Sequence, residues 1–142
     1  MSQPAIRVFL VDDQTLVRQG IRSLLALAEG IEVVAEASDG RQAVEQIPQV
    51  KPDVVLMDMR MPAMSGLEAL QALGRAGTLP PTIILTTFDD DQLVLAGIKA
   101  GAKGYLLKDV SLEQLVDAIQ AVAGGGSLVQ PAVTQRLLSG LE

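Results

Sequence analysis

Five side chains in this sequence could do chemistry together: Asp12, Asp13, Asp58, Thr86 and Lys108. Each closes or follows a short run of branched apolar residues. IRVFLV leads to the acidic pair, VVLM to Asp58, IIL to Thr86 and GYLL to Lys108. Three carboxylates that converge repel one another unless a cation or a proton intervenes. Oxygen donors without nitrogen or sulfur suit a hard ion such as Mg2+ or Mn2+. Mg2+ takes one or two carboxylates, keeps waters and completes its shell with phosphate oxygens. A lysine ammonium adds a point charge for a phosphoryl oxygen, and a threonine hydroxyl adds a hydrogen bond. That is the equipment of phosphoryl transfer, where catalysis is mostly positioning and charge neutralisation. A carboxylate can itself be the nucleophile.

Taken singly, each residue has a plainer reading. Asp-Asp after a strand is usually a solvated turn, a strand threonine reflects β propensity, and a lone lysine is usually a surface charge. The conjunction of acid, acid, hydroxyl and ammonium at successive strand ends gives the chemical reading its weight.

The composition narrows the alternatives. The 142 residues hold no cysteine and no histidine. This removes thiolate zinc sites, Ser-His-Asp catalysis and a phosphohistidine carried by this chain. Hydrophobic residues make up 49%, enough for one domain with a core, and the formal net charge is -6. Lysines and arginines form no cluster, so direct DNA binding by this chain alone is not expected. The N-terminus lacks a signal-peptide pattern, no apolar run reaches the length of a membrane span, and the chain reads as cytoplasmic.

The elements that must position these residues alternate. Strands are expected at Ile6–Val11, Ile31–Ala37, Asp53–Met57, Thr82–Thr86 and Lys103–Leu107. A helix over 14–28 places Leu16, Val17, Ile21, Leu24, Leu25 and Ala28 on one face. Further helices follow Gly40 and Gly66, run from Asp89 to Ala100, and start after Ser111 as N-cap. Apolar strands alternating with amphipathic helices imply a parallel sheet covered on both faces. The fold class is α/β: a flavodoxin-like (βα)5 doubly wound sheet with strand order 2-1-3-4-5. In that order the ends of strands one and three meet at the crevice where ligands bind.

At this point the sequence resembles the response-regulator receiver family of bacterial two-component signalling, NarL/FixJ subfamily. The segments VFLVDDQTLVRQG, VVLMDMRMPAMSG, IILTTFDD and GAKGYLLKD carry the resemblance. It implies that Asp58 is the phospho-acceptor. Asp13, Asp58 and the backbone carbonyl of Arg60 would hold the metal, with Asp12 acting through water. Thr86 and Lys108 would bind the phosphoryl group, Tyr105 would be the aromatic switch residue, and Pro62 and Gly66 would shape the loop after the acceptor. The implied partners are a sensor histidine kinase, a second copy in a phosphorylation-dependent homodimer, and DNA through a C-terminal helix-turn-helix domain.

Residues 1–125 are then the receiver, and 126–142 a linker or the start of a linker helix from Pro131. Many receivers have proline where this chain has Asp109, which leaves the Lys108–Asp109 bond open between cis and trans. Three other readings remain: a stand-alone receiver acting by protein contact or as a phosphate sink, a phosphatase with an aspartate nucleophile, and a flavin module. Arg60 stands where such a phosphatase needs a second acid. A lone tyrosine, no tryptophan and no phosphate-cradling loop after strand one speak against flavin.

Overall fold

The computed structural model describes residues 4–86, 91–126 and 128–129. Six strands, β1 (Ile6–Val11), β2 (Ile31–Ala37), β3 (Val54–Asp58), β4 (Thr82–Thr86), β5 (Gly104–Leu107) and β6 (Leu128–Val129), form one sheet in the order β2-β1-β3-β4-β5-β6. Every described pairing is parallel. The helices are α1 (Thr15–Ala26), α2 (Gly40–Val50), α3 (Gly66–Arg75), α4 (Asp91–Lys99) and α5 (Leu112–Ala123). The expected order 2-1-3-4-5 is present, with β6 added beside β5. Residues 128–129 fall in the stretch read as linker. The helix expected from Pro131 lies outside the described residues.

Strand side chains alternate between the two faces, so the apolar runs feed two layers. Val8, Leu10, Leu56 and Leu85 pack with Leu115 and Ile119 of α5 on one face. Phe9, Val11 and Met57 pack with Ala43 and Ile47 of α2 and Leu73 of α3 on the other. Ile84, Met59 and Tyr105 meet Leu70 of α3 and Val94 of α4. The helix starts follow local chemistry. Ser65 and Ser111 each form a reciprocal capping box, with Glu68 and Gln114 respectively. Asp39 caps α2 by accepting from the Gln42 N–H.

The reading of α1 needs correction. Ile21, Leu25 and Ala28 do face the core. Leu16 is 84% exposed and Leu24 41%, and Leu27, which joins them on that side, is 75% exposed. Positions 16, 20, 24 and 27 form a helical stripe rotated away from 21, 25 and 28. A helix lying on a sheet edge buries only the second stripe, and apolarity alone does not say which one.

Two glycines hold the loop after β3. A Cβ at Gly66 would lie 2.2 Å from the Asp58 carbonyl oxygen, and one at Gly40 would lie 2.4 Å from the Met64 carbonyl oxygen. The Gly40 and Gly66 N–H groups donate to the Met64 and Met59 carbonyls at 2.9 and 3.1 Å. The contacting atoms are backbone and cannot rotate aside. Gly66→Ala should therefore cost about 2 kcal/mol or more in urea unfolding, in the range of overpacking. A change under about 0.5 kcal/mol, the usual size for an indifferent surface substitution, would mean that the loop yields freely.

Candidate functional site

The site lies at the carboxyl edge of the sheet. Asp12 follows β1, Asp58 closes β3, Thr86 closes β4 and Lys108 follows β5. Parallel pairing aligns these ends, because Val11 pairs with Met57, Asp58 with Leu85, and Thr86 with Leu107. The Lys108 N–H donates to the Thr86 carbonyl at 2.9 Å, which ties the last two ends together. Among the described residues no peptide bond is cis, so Lys108–Asp109 is trans.

Carboxylate oxygens of Asp12, Asp13 and Asp58 all lie within 4.8 Å of one another. Asp12 and Asp58 are buried, whereas Asp13 is exposed. The Lys108 Nζ bridges the buried pair, 3.4 Å from Asp12 Oδ2 and 3.2 Å from Asp58 Oδ2. Asp12 Oδ1 accepts from the Gln14 N–H at 2.8 Å, and Asp58 Oδ1 from the Arg60 N–H at 3.3 Å. Among the described residues, the buried Asp12 Oδ2 accepts no hydrogen bond within standard geometry. An under-satisfied buried carboxylate oxygen beside two further carboxylates fits a hard divalent cation.

Burial pushes the Asp58 carboxyl up to about 6; Lys108 works against this, and the charge of Asp12 adds to it. Burial pulls the Lys108 ammonium down, but Asp58 and Asp12 outweigh it, and its pKa ends above the ordinary lysine value. The cost of ionising Asp58 here is therefore chiefly that of burial, with the Asp12 charge as a smaller addition.

A folded-state carboxyl pKa above the unfolded value means that the native state binds more protons through that window. Asp58 then contributes stability that is present below the unfolded value of 3.8 and lost as pH rises toward about 6. In chelator, wild type should lose about 2–3 kcal/mol of this contribution between those limits. Asp58→Asn should lack this loss, so the difference between the two in urea unfolding should change with pH from 4 to 6 and be flat above. A difference independent of pH would show that Asp58 titrates normally.

Thr86 is 2% exposed and Tyr105 0%. Tyr105 is the residue that the family resemblance marks as the aromatic switch. The ring is already inward here, packed with Met59, Ile84 and Val94. Residues 87–90, which follow Thr86, lie outside the described residues.

Sequence reasoning missed Arg18, Glu36 and Gly40. Arg18 reaches the Asp12 carbonyl and Glu36, and Gly40 clamps the acceptor loop. The arginine's position on a helix and the glutamate's on a neighbouring strand give no joint signal in a linear sequence.

Comparison with known proteins agrees with this geometry. A family model described as the response regulator receiver domain matches residues 8–120. The nitrate/nitrite response regulator protein NarP of Escherichia coli is 47% identical over 131 residues, 92% of this chain and 61% of NarP. The response regulator ChrA of a heme-sensing two-component system is 42% identical with a TM-score of 0.82, over 98% of this chain and 67% of ChrA. A LuxR-family two-component response regulator from Aurantimonas sp. SI85-9A1 is 32% identical with a TM-score of 0.87, over 96% and 98% of the two chains. The chain spans about three-fifths of the length of the curated relatives it matches, from 58% to 64%. With the fold, the strand-end acids and these matches in agreement, the chain belongs to the response regulator receiver domain family, the signalling domain of two-component systems, and its relatives include NarL- and LuxR-type response regulators.

Proposed function

We propose that Asp58 accepts a phosphoryl group from a sensor histidine kinase, and that this phosphorylation switches a transcriptional regulator. The observation that carries the reading is the position of Asp58, buried at a strand end, 3.2 Å from Lys108 and within reach of Asp12 and Asp13. Mg2+, with Mn2+ as a substitute, would be held by Asp13, Asp58 and the Arg60 carbonyl, with Asp12 acting through water. The bound ion supplies charge neutralisation for phosphoryl oxygens.

An Asp58 carboxylate oxygen attacks phosphorus as the bond to the donor breaks. The donor leaves with the bonding electrons, and Asp58 becomes an aspartyl-phosphate. Lys108 is released from its bridge between two carboxylates and pairs with a phosphoryl oxygen instead. Thr86 turns its hydroxyl to another. Water later attacks the acyl phosphate, and inorganic phosphate leaves. The domain thus catalyses its own phosphorylation and dephosphorylation without turning over an external substrate.

The output is proposed to run through Thr86 and Tyr105 to a homodimer, formed by α4 and α5 or by α1 and α5. The exposed Leu16 and Leu24 on α1 and Leu27 at its C-cap support the second choice. DNA would be bound by a C-terminal helix-turn-helix domain, and the greater length of the regulators this chain matches supports that. A cytoplasmic location is part of the same proposal; among the described residues no helix is long and apolar enough to cross a membrane.

Incubation with acetyl phosphate and Mg2+ followed by intact-mass measurement should show one added phosphoryl group that chelator prevents. Sedimentation of the same samples should show a heavier species after phosphorylation. No mass gain at any donor concentration would end the proposal, and a constant sedimentation mass would end its dimer half.

A further inference from the structure

We infer that Arg18 is a positioning residue for the Asp12–Asp13 corner, acting with Glu36 as its anchor. The inference rests on the reading of that corner as a metal-binding site.

The peptide joining Asp12 to Asp13 determines where the Asp13 carboxylate points. Arg18 Nη1 donates to the Asp12 carbonyl oxygen of that peptide at 2.6 Å. Its Nε donates to Glu36 Oε1 at 3.2 Å. Glu36 Oε2 is paired in turn with Arg22 Nη1. Glu36 stands on β2 opposite Leu10 of β1, next to Ala37, whose carbonyl accepts the Asp12 N–H at 3.1 Å. The Asp12 backbone is therefore gripped on both sides: its N–H by the end of β2, and its C=O by a guanidinium fixed to that strand. On the third side Asp12 Oδ1 accepts from the Gln14 N–H.

The arginine itself is held still. Its side chain is 17% exposed and that of Glu36 20%, so both keep only a margin of solvent. A rigid planar fork that bonds two partners at once loses little freedom per bond. Lysine, with one nitrogen on a flexible stem, does not reproduce the two fixed directions of the guanidinium fork. Arg22, by contrast, is 60% exposed and reaches Glu36 without touching the corner.

The arrangement has a consequence for metal affinity. Asp13 is the exposed member of the three acids, on a loop between β1 and α1, with no strand of its own to fix it. Free rotation of the Asp12–Asp13 peptide would swing its carboxylate away from the other two. Partners that orient ligands without touching the metal typically change its affinity 10- to 100-fold. Arg18 places a positive charge beside the corner as well, but charge alone would raise the cost of cation binding. Only the positioning role predicts weaker binding on its removal.

The test uses Mn2+ as the probe, with binding read from the electron paramagnetic resonance signal of the free ion, in the absence of any phosphodonor. Arg18→Ala should raise the Mn2+ Kd about tenfold or more, at the lower edge of such effects. Arg22→Ala, which cuts the outer ion pair and spares the carbonyl bond, should leave Kd within about twofold, well below that range. Arg18→Lys should fall between wild type and Arg18→Ala; it also serves if the alanine variant does not fold. A Kd unchanged or lowered in both Arg18 variants would overturn the inference, as would an equal rise in Arg22→Ala. If wild type itself binds no Mn2+, or Asp13→Ala binds as well as wild type, the metal-site reading fails and takes the inference with it.

Discussion

Asp58→Asn takes up no phosphoryl group from acetyl phosphate, at any Mg2+ concentration. This is the largest effect expected of any single substitution here. The asparagine keeps the shape of the side chain and removes the anionic oxygen that attacks phosphorus. Asp12 and Asp13 stay in place beside it, so the experiment also asks whether a neighbouring acid can substitute. Geometry says not. Asp12 has no exposed surface for a donor to reach, whereas Asp58 keeps 4%. Asp13 is exposed and solvated. The loss is read as absence of mass gain in the intact protein, with peptide mapping of wild type to locate the modification. An undiminished gain in Asp58→Asn would transfer the acceptor role to another residue.

The sheet was legible in the sequence because its strands are continuous apolar runs. A parallel strand buried on both faces has no polar positions to blur its edges. Ile6–Val11, Ile31–Ala37 and Thr82–Thr86 came out with the boundaries expected, whereas β3 and β5 begin one residue later than read. Asp53 lies just outside β3: its N–H donates to the Arg7 carbonyl, but its side chain, not its backbone, takes the Arg7 N–H. The short β6 was not legible, since two apolar residues after three glycines carry no periodicity. The orientation of α1 was misread at Leu16 and Leu24 for a related reason. Its apolar residues cover two stripes, and only the sheet decides which is buried.

The site was legible because its residues sit at strand ends, and strand order alone brings those ends together. Asp12, Asp58, Thr86 and Lys108 could be placed without a single contact being known. What could not be read is how each is held. Lys108 bridging two acids, Arg18 gripping the Asp12 carbonyl, and Gly40 pressed against Met64 all depend on distances between elements far apart in the chain. The state of charge was equally hidden. An aspartate pushed up to about 6 by burial looks, in sequence, like any other aspartate.

Lys108→Ala should produce the second large effect, and one that separates two roles of the same ammonium. Before phosphorylation Lys108 offsets the charges of Asp12 and Asp58. During the proposed transfer it would neutralise a phosphoryl oxygen. Breaking a fully buried ion pair by removing one partner costs about 3–5 kcal/mol. Lys108 keeps 20% of its side chain in solvent, so a smaller loss of about 2 kcal/mol is expected at pH 7.5 in chelator. The double variant Lys108→Ala/Asp58→Asn should regain much of that, because one of the two stranded charges is gone. Added Mg2+ should also restore stability in the single variant, since an ion that binds only the native state stabilises it by mass action. The rate of phosphorylation should behave differently. Removing one preorganised charge from a developing oxyanion typically costs about 100-fold or more, and saturating Mg2+ should not recover it, because the ion would be held by Asp13, Asp58 and the Arg60 carbonyl and would leave the oxygen assigned to Lys108 without its cation. Urea unfolding and the rate of mass gain, measured across the same Mg2+ series, read the two roles apart. If saturating Mg2+ brings the rate back to the wild-type value along with the stability, Lys108 is only a counter-charge, and the phosphoryl group must be held by Thr86 and the metal alone.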